Sequence, residues 1–130
     1  MKKIDELILE DYLYDSGKDA NIIDLAKRLG FRVFSQMIDT QEYVSFTVVG
    51  DESFVYDKVI CLNLHVANGN IGKFIISYQI ADYLINGSDQ SKYYSNFKIE
   101  ELDFNAYNLA KKIYDRSIKY KNDKQLRRKK

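Results

Sequence analysis

The chain reads as an α+β domain, with a small three-stranded, mostly antiparallel sheet packed with about four helices. Two observations predict this. Apolar residues recur at steps of three and four over 2–14, 20–29, 71–86 and from Asp103 onward, whereas 31–64 carries short runs rich in β-branched and aromatic residues. The breaks between those runs, DTQE and GDESFVYD, are short, and short connections favour antiparallel neighbours. With 130 residues, 45% of them apolar, the chain has material for one core. The expected division is a single domain over 1–118 and a basic, flexible C-terminal tail over 119–130.

The elements follow in order. Residues 2–14 form the first helix, with Ile4, Leu7 and Ile8, continued by Asp11 or Tyr12, at helical spacing, and DSGKD at 15–19 turns the chain. The second helix runs from Ala20 to Leu29, with Asp19 as N-cap and Ile22, Ile23, Ala26 and Leu29 facing inward. Gly30 stands where a left-handed C-terminal cap belongs. FRVFSQMI (31–38), YVSFTVV (43–49) and KVICLNL (58–64) are the strands. The third, apolar at successive positions, is expected to be covered on both faces. After the Asn68-Gly69-Asn70 break, residues 71–86 form the clearest helix, with Ile71, Phe74, Ile75, Tyr78, Asp82 and Ile85 on one face and Asn86-Gly87 as its stop. Residues 87–98 read as a polar loop anchored by Tyr93, Tyr94 and Phe97. The last helix starts at Asp103, its N-cap, with Leu102, Ala106, Leu109, Ala110 and Ile113 as its stripe. Tyr114, Ile118 and Tyr120 then finish packing against the first helix.

Charge and composition exclude several function classes. Lys+Arg 20 against Asp+Glu 19 gives a net charge of +1, so the whole domain is no polycation built for nucleic acid. The balance is uneven, with +6 over 119–130 and −5 over the rest. Lys119, Lys121, Lys124, Arg127, Arg128, Lys129 and Lys130 are the candidate contacts for nucleic acid or an acidic partner, although a solubilising end with no specific target is the reading the composition favours. One cysteine, Cys61, excludes a disulfide framework, and one histidine, His65, excludes every motif needing two imidazoles. Cys61 reads as a buried small hydrophobe and His65 as a strand-end residue. No run of 18 apolar residues marks a membrane span, and acids inside MKKIDELILEDYL argue against a secretory signal. The expected location is cytoplasmic.

The stretch Lys73-Phe74-Ile75-Ile76-Ser77-Tyr78-Gln79-Ile80-Ala81-Asp82-Tyr83-Leu84-Ile85 resembles the signature helix of the ImmA/IrrE family of metallopeptidases, roughly R-F-T-[LI]-A-H-E-[LI]-G-H-[YF]-[LI]-[LI]. Ala26-Lys27-Arg28-Leu29-Gly30-Phe31 is similar to the family's A-x-x-L-G-I helix-to-strand junction. Asn105-Ala106-Tyr107-Asn108-Leu109-Ala110 is similar to its E-A-N-x-F-A. The order of elements agrees over about residues 20–115, and the resemblance implies a zincin-like domain.

The departures fall on the chemistry. In the family, His-Glu-x-x-His and a Glu hold Zn²⁺ and activate its water. Tyr78, Gln79, Asp82 and Asn105 stand at those positions here. An amide is no base at neutral pH, and a phenol near pKa ~10 is a poor zinc ligand at pH 7. If the family's packing holds, Tyr78, Asp82 and Asn105 converge and satisfy one another as a structural polar cluster. A different metal or a small ligand in the remnant pocket is the alternative.

The resemblance thus implies a pseudo-peptidase with no catalytic residue, metal or cofactor. It implies action by binding another protein, a helix-turn-helix regulator or a host or phage factor, in the setting of a phage or mobile element. The second hypothesis is a nucleic-acid-associated module using the basic tail and the Lys92–Lys98 loop. A third is a metal hydrolase built on Asp82 and another acid.

Overall fold

The computed structural model describes residues 1–15, 21–36, 45–49, 58–64, 69–87, 92–94 and 102–128, of which 15, 36, 45–49, 92–94 and 119–128 are described by backbone alone. Helix α1 spans Lys3–Glu10 and passes into a π-helical turn at Asp11–Asp15. Helix α2 (Ile22–Arg28), strands β1 (Phe31–Gln36), β2 (Ser45–Val49) and β3 (Lys58–Asn63), helix α3 (Gly69–Asn86), strand β4 (Lys92–Tyr94) and helix α4 (Phe104–Arg128) follow.

The sheet corrects the expected fold. Among the described residues it has four strands rather than three, in the order β1-β3-β2-β4, and β1 runs parallel to β3. Phe31 lies opposite Lys58 in the parallel pair, and Ser45 opposite Leu62 in the antiparallel β2–β3 pair. The third strand inserts between the first two. Burial supplies the reason, since Val59–Asn63 are buried without interruption and such a run belongs inside a sheet. The link over 37–44 then has to cross two strand spacings, roughly 9.6 Å, which eight residues reach with ease. The fourth strand falls within the expected polar loop and pairs Lys92–Tyr94 with β2. Three residues are too few to show a period of two.

Local signals place the helix ends. Asn21, not Asp19, caps α2, its Oδ1 accepting from the Ile23 amide at 2.7 Å, and Asp19 lies outside the described residues. Gly30 adopts φ +93° after α2, and its N–H donates to the Lys27 carbonyl at 2.9 Å. The Asp103 carboxylate accepts from the Ala106 amide at 2.9 Å and opens α4. That helix continues through Arg128, so the backbone of the basic segment over 119–128 extends it, while Lys129 and Lys130 lie outside the described residues.

Helix α1 turns to the core a face that its apolar spacing predicts only in part. Asp5, Leu9 and Tyr12 are buried, at steps of four and three, while Ile4 and Leu7 are exposed. The inward stripe contains an aspartate, so apolar periodicity selects the neighbouring one. Helix α3 has no single inward face, because every residue from Ile75 to Asp82 is buried, with Ile71 and Ile85 exposed. It is the central helix, packed along α4, where Ala106, Ala110 and Ile113 are fully buried. Phe74 meets Tyr107 and Tyr114 edge-on at 6.0 and 5.8 Å. The π-helical turn docks on α4 through the Tyr12 carbonyl, which accepts from Arg116 Nε at 3.3 Å, and through the Tyr12 hydroxyl, which donates to the Ile113 carbonyl at 3.4 Å.

Candidate functional site

Three of the four positions implied by the resemblance lie inside α3, and the fourth does not join them. Tyr78 and Asp82 are one turn apart and both buried. Gln79, 1% exposed, is among the most deeply buried side chains of the molecule. Asn105 is exposed on the first turn of α4, next to a fully buried Ala106. A cluster of Tyr78, Asp82 and Asn105 around one point would need all three turned inward, and Asn105 faces solvent.

The tie to α4 is made elsewhere. The Tyr78 hydroxyl accepts from the Asp103 backbone N–H at 3.0 Å. Asp103 therefore links two structures, its amide held by α3 and its carboxylate capping α4. Burial chiefly pushes the Tyr78 phenol up from its ordinary value, the Asp103 N–H works against that, and the carboxylates of Asp82 and Asp103 add to the rise. Tyr78 is thus a neutral phenol at physiological pH. Asp82 Oδ1 accepts from the Asn86 side-chain amide at 2.6 Å, one turn on. That partner was legible as a four-residue Asp–Asn spacing, but Asn86 reads first as a helix stop. The Ser77 hydroxyl donates to the Lys73 carbonyl at 2.8 Å and occupies the buried small-residue position of the stretch.

A second polar constellation has no signal in the sequence. Half-buried Lys58 opens β3, and its Nζ donates to the Leu29 carbonyl at 2.7 Å and the Tyr83 hydroxyl at 3.0 Å. The ammonium lies 5.1 Å from the centre of the Phe31 ring and 4.6 Å from that of Tyr83, and the two rings meet edge-to-face at 5.1 Å. A cation on the last carbonyls of α2 satisfies that helix end and its dipole. Lys58 thereby joins α2, the parallel strand pair and α3, which is a structural use of the charge.

The remaining positions separate plainly. Cys61 is a buried free thiol that burial pushes up, as suits a packing residue. His65 lies outside the described residues, as do Lys129 and Lys130. Lys119, Lys121, Lys124, Arg127 and Arg128 belong to the backbone of α4, and their side chains are not described. Among the described residues no group of three His, Cys, Asp or Glu side chains is gathered as a metal-holding cluster, and no helix is long and apolar enough to cross a membrane. Comparison with protein-family models, with curated proteins and with solved structures returns no match to this chain.

Proposed function

We propose that the chain is a non-catalytic protein-binding pseudo-peptidase of the ImmA/IrrE type, acting on a transcriptional regulator or on a host or phage factor by holding it. One observation carries the reading. Three of the four side chains at the positions of the family's metal ligands and base are spent on the fold, Tyr78 on the Asp103 amide, Asp82 on Asn86, and Gln79 sealed in the interior, while Asn105 faces solvent away from them. Peptide hydrolysis needs a base that reaches substrate, and an enclosed amide supplies neither the access nor the proton affinity. Binding asks only for surface complementarity. Helix α1 offers exposed Ile4 and Leu7, with Met1 exposed just before it and Tyr14 exposed in the π-helical turn.

The test has two arms. Protein reconstituted with Zn²⁺ and incubated with casein and with a helix-turn-helix repressor is expected to leave both intact. The repressor is expected to bind stoichiometrically in calorimetry, with affinity lost in Ile4→Asp/Leu7→Asp. Cleavage that disappears in Asp82→Ala overturns the reading.

The course of α4 favours a second reading, a nucleic-acid-associated module. The helix runs unbroken to Arg128, and its backbone places positions 121, 124 and 128 on one side at steps of three and four. Affinity for DNA or RNA that falls steeply with salt and vanishes on deleting 119–130 would select it.

A further inference from the structure

The first turn of α1 and the last turn of α3 meet around a cavity of about 330 Å³. Its walls are Met1, Lys2 and Asp5 on one side and residues 83–87 on the other. Asp5 is the unusual member. It is 8% exposed, on the same inward stripe as Leu9 and Tyr12, and it forms no hydrogen bond or ion pair with any described residue. Elsewhere among the described residues the buried Asp82 is held by Asn86, and the partly exposed Asp11 by Arg28 at 2.8 Å. A carboxylate on a residue so largely covered, facing the adjoining space without a protein partner among the described residues, is placed to take a counter-ion there.

The opposite wall adds charge of the same sign. Helix α3 ends there, with Gly87 in the left-handed region at φ +54° and its N–H returned to the Tyr83 carbonyl at 2.9 Å. The carbonyls of the last turn that receive no amide point out of the helix and carry the negative end of its dipole. A carboxylate and a helix C-terminus thus share one cavity. Lys2 and the terminal amine stand at its edge, exposed to solvent, and neither pairs with Asp5 among the described residues.

We propose that this cavity binds an organic cation, a primary ammonium or guanidinium group, with Asp5 as counter-ion and the terminal carbonyls of α3 as acceptors. One carboxylate is too few for a divalent metal ion, which takes six or more oxygens or several charged ligands. An alkyl stem suits the apolar part of the wall at Leu84 and Ile85. The volume lies at the small end of ligand pockets, enough for a single side chain or a small amine. The site is independent of the pseudo-peptidase reading. The cation has two sources, a free amine or a lysine side chain of a bound protein.

The experiment titrates the full chain at constant ionic strength, reading backbone amide shifts. The probes are n-butylammonium, Nα-acetyl-lysine N-methylamide and, as the neutral control, n-pentanol. Saturable binding of at least one cation is expected, with shifts centred on Asp5 and 83–87 and none from pentanol. A response to butylammonium alone identifies a free amine as the source, and a response to the lysine derivative identifies a protein side chain. Asp5→Asn is expected to weaken binding about tenfold. Ile85→Lys, at an exposed position on the wall, supplies a competing ammonium and is expected to weaken it about fivefold, which keeps the test open if Asp5→Asn does not fold. No saturation by either cation, an equal response to pentanol, or unchanged affinity in the folded variants overturns the proposal.

Discussion

Removing one oxygen from the molecule tests how the central helix is joined to the last one. Tyr78→Phe keeps the buried ring and deletes the hydroxyl that accepts from the Asp103 N–H at 3.0 Å. The freed donor belongs to an exposed residue, so water takes the place of the phenol. The cost is therefore the net value of an exchanged hydrogen bond, about 1 kcal/mol, rather than the 1–3 kcal/mol of an orphaned buried donor. For a chain of this length that lowers Tm by roughly 3–4 °C. Urea denaturation gives the free energy, and amide hydrogen exchange gives the place: Asp103 accelerates first, ahead of Ala106, which keeps its cap on the Asp103 carboxylate. The pH dependence adds a second readout. The folded phenol lies above its unfolded value, so its contribution is whole below the ordinary tyrosine pKa and is lost as pH rises through the folded value. The gap between wild type and Tyr78→Phe accordingly narrows in alkali. Equal stability together with unchanged Asp103 exchange refutes the link.

Three further outcomes follow from named contacts. Gly30→Ala forces a side chain into φ +93°, where its Cβ would lie 3.1 Å from Lys58 Cε and 3.3 Å from Nζ. A loss of about 2 kcal/mol in urea is expected, and a non-additive cycle with Lys58→Met would show that the ammonium is what the methyl displaces. Tyr12 has its pKa raised to about 12, chiefly by burial, against the lowering effects of Ser117 and Arg116. Wild type should lose stability between pH 10 and that value while Tyr12→Phe stays flatter, and parallel curves at pH 8 and pH 11 would contradict this. Gln79→Glu places a carboxyl where only 1% is exposed. Its pKa rises on folding, so the variant should lose a few kcal/mol at pH 7 and recover as pH falls towards 5, a trend that melting curves across that range would reveal.

What was legible in the sequence was local. Gly30 and Gly87 end their helices in the left-handed region, and Asp103 caps the last helix, because each acts on amides within a turn of itself. The unbroken apolar run in β3 foretold cover on both faces, since no alternation means no wet side. Strand order was not legible. Short links suggested antiparallel neighbours throughout, but β3, buried from Val59 to Asn63, inserts beside β1 and runs parallel to it. The face of α1 was legible only in part: its inward stripe carries Asp5, so counting apolar residues picks Ile4 and Leu7, which face solvent, together with Ile8, which packs against the core, and Tyr12, which is buried. At the candidate site the helix and its position were legible. The partners were not, because Tyr78 bonds a backbone amide and Asp82 a residue that reads first as a helix terminator.

The arrangement of polar groups along α3 bears on how a scaffold of this kind could change its use. A helix buried from Ile75 to Asp82 offers chemistry only if a cleft opens onto it, and each polar side chain kept there needs a partner at hand. Tyr78 and Asp82 obtain theirs from the start of α4 and from the next turn of α3, and so reinforce the packing of the two helices. Asp5, on α1, has none among the described residues, and it lines the cavity beside the C-terminal end of α3. The interior of α3 thus serves stability, while its C-terminal end faces, across the cavity, a carboxylate of α1 that has no partner among the described residues. Binding chemistry is accordingly to be sought at the α1–α3 junction and along the exposed side of α1 rather than within the buried stretch from Ile75 to Asp82.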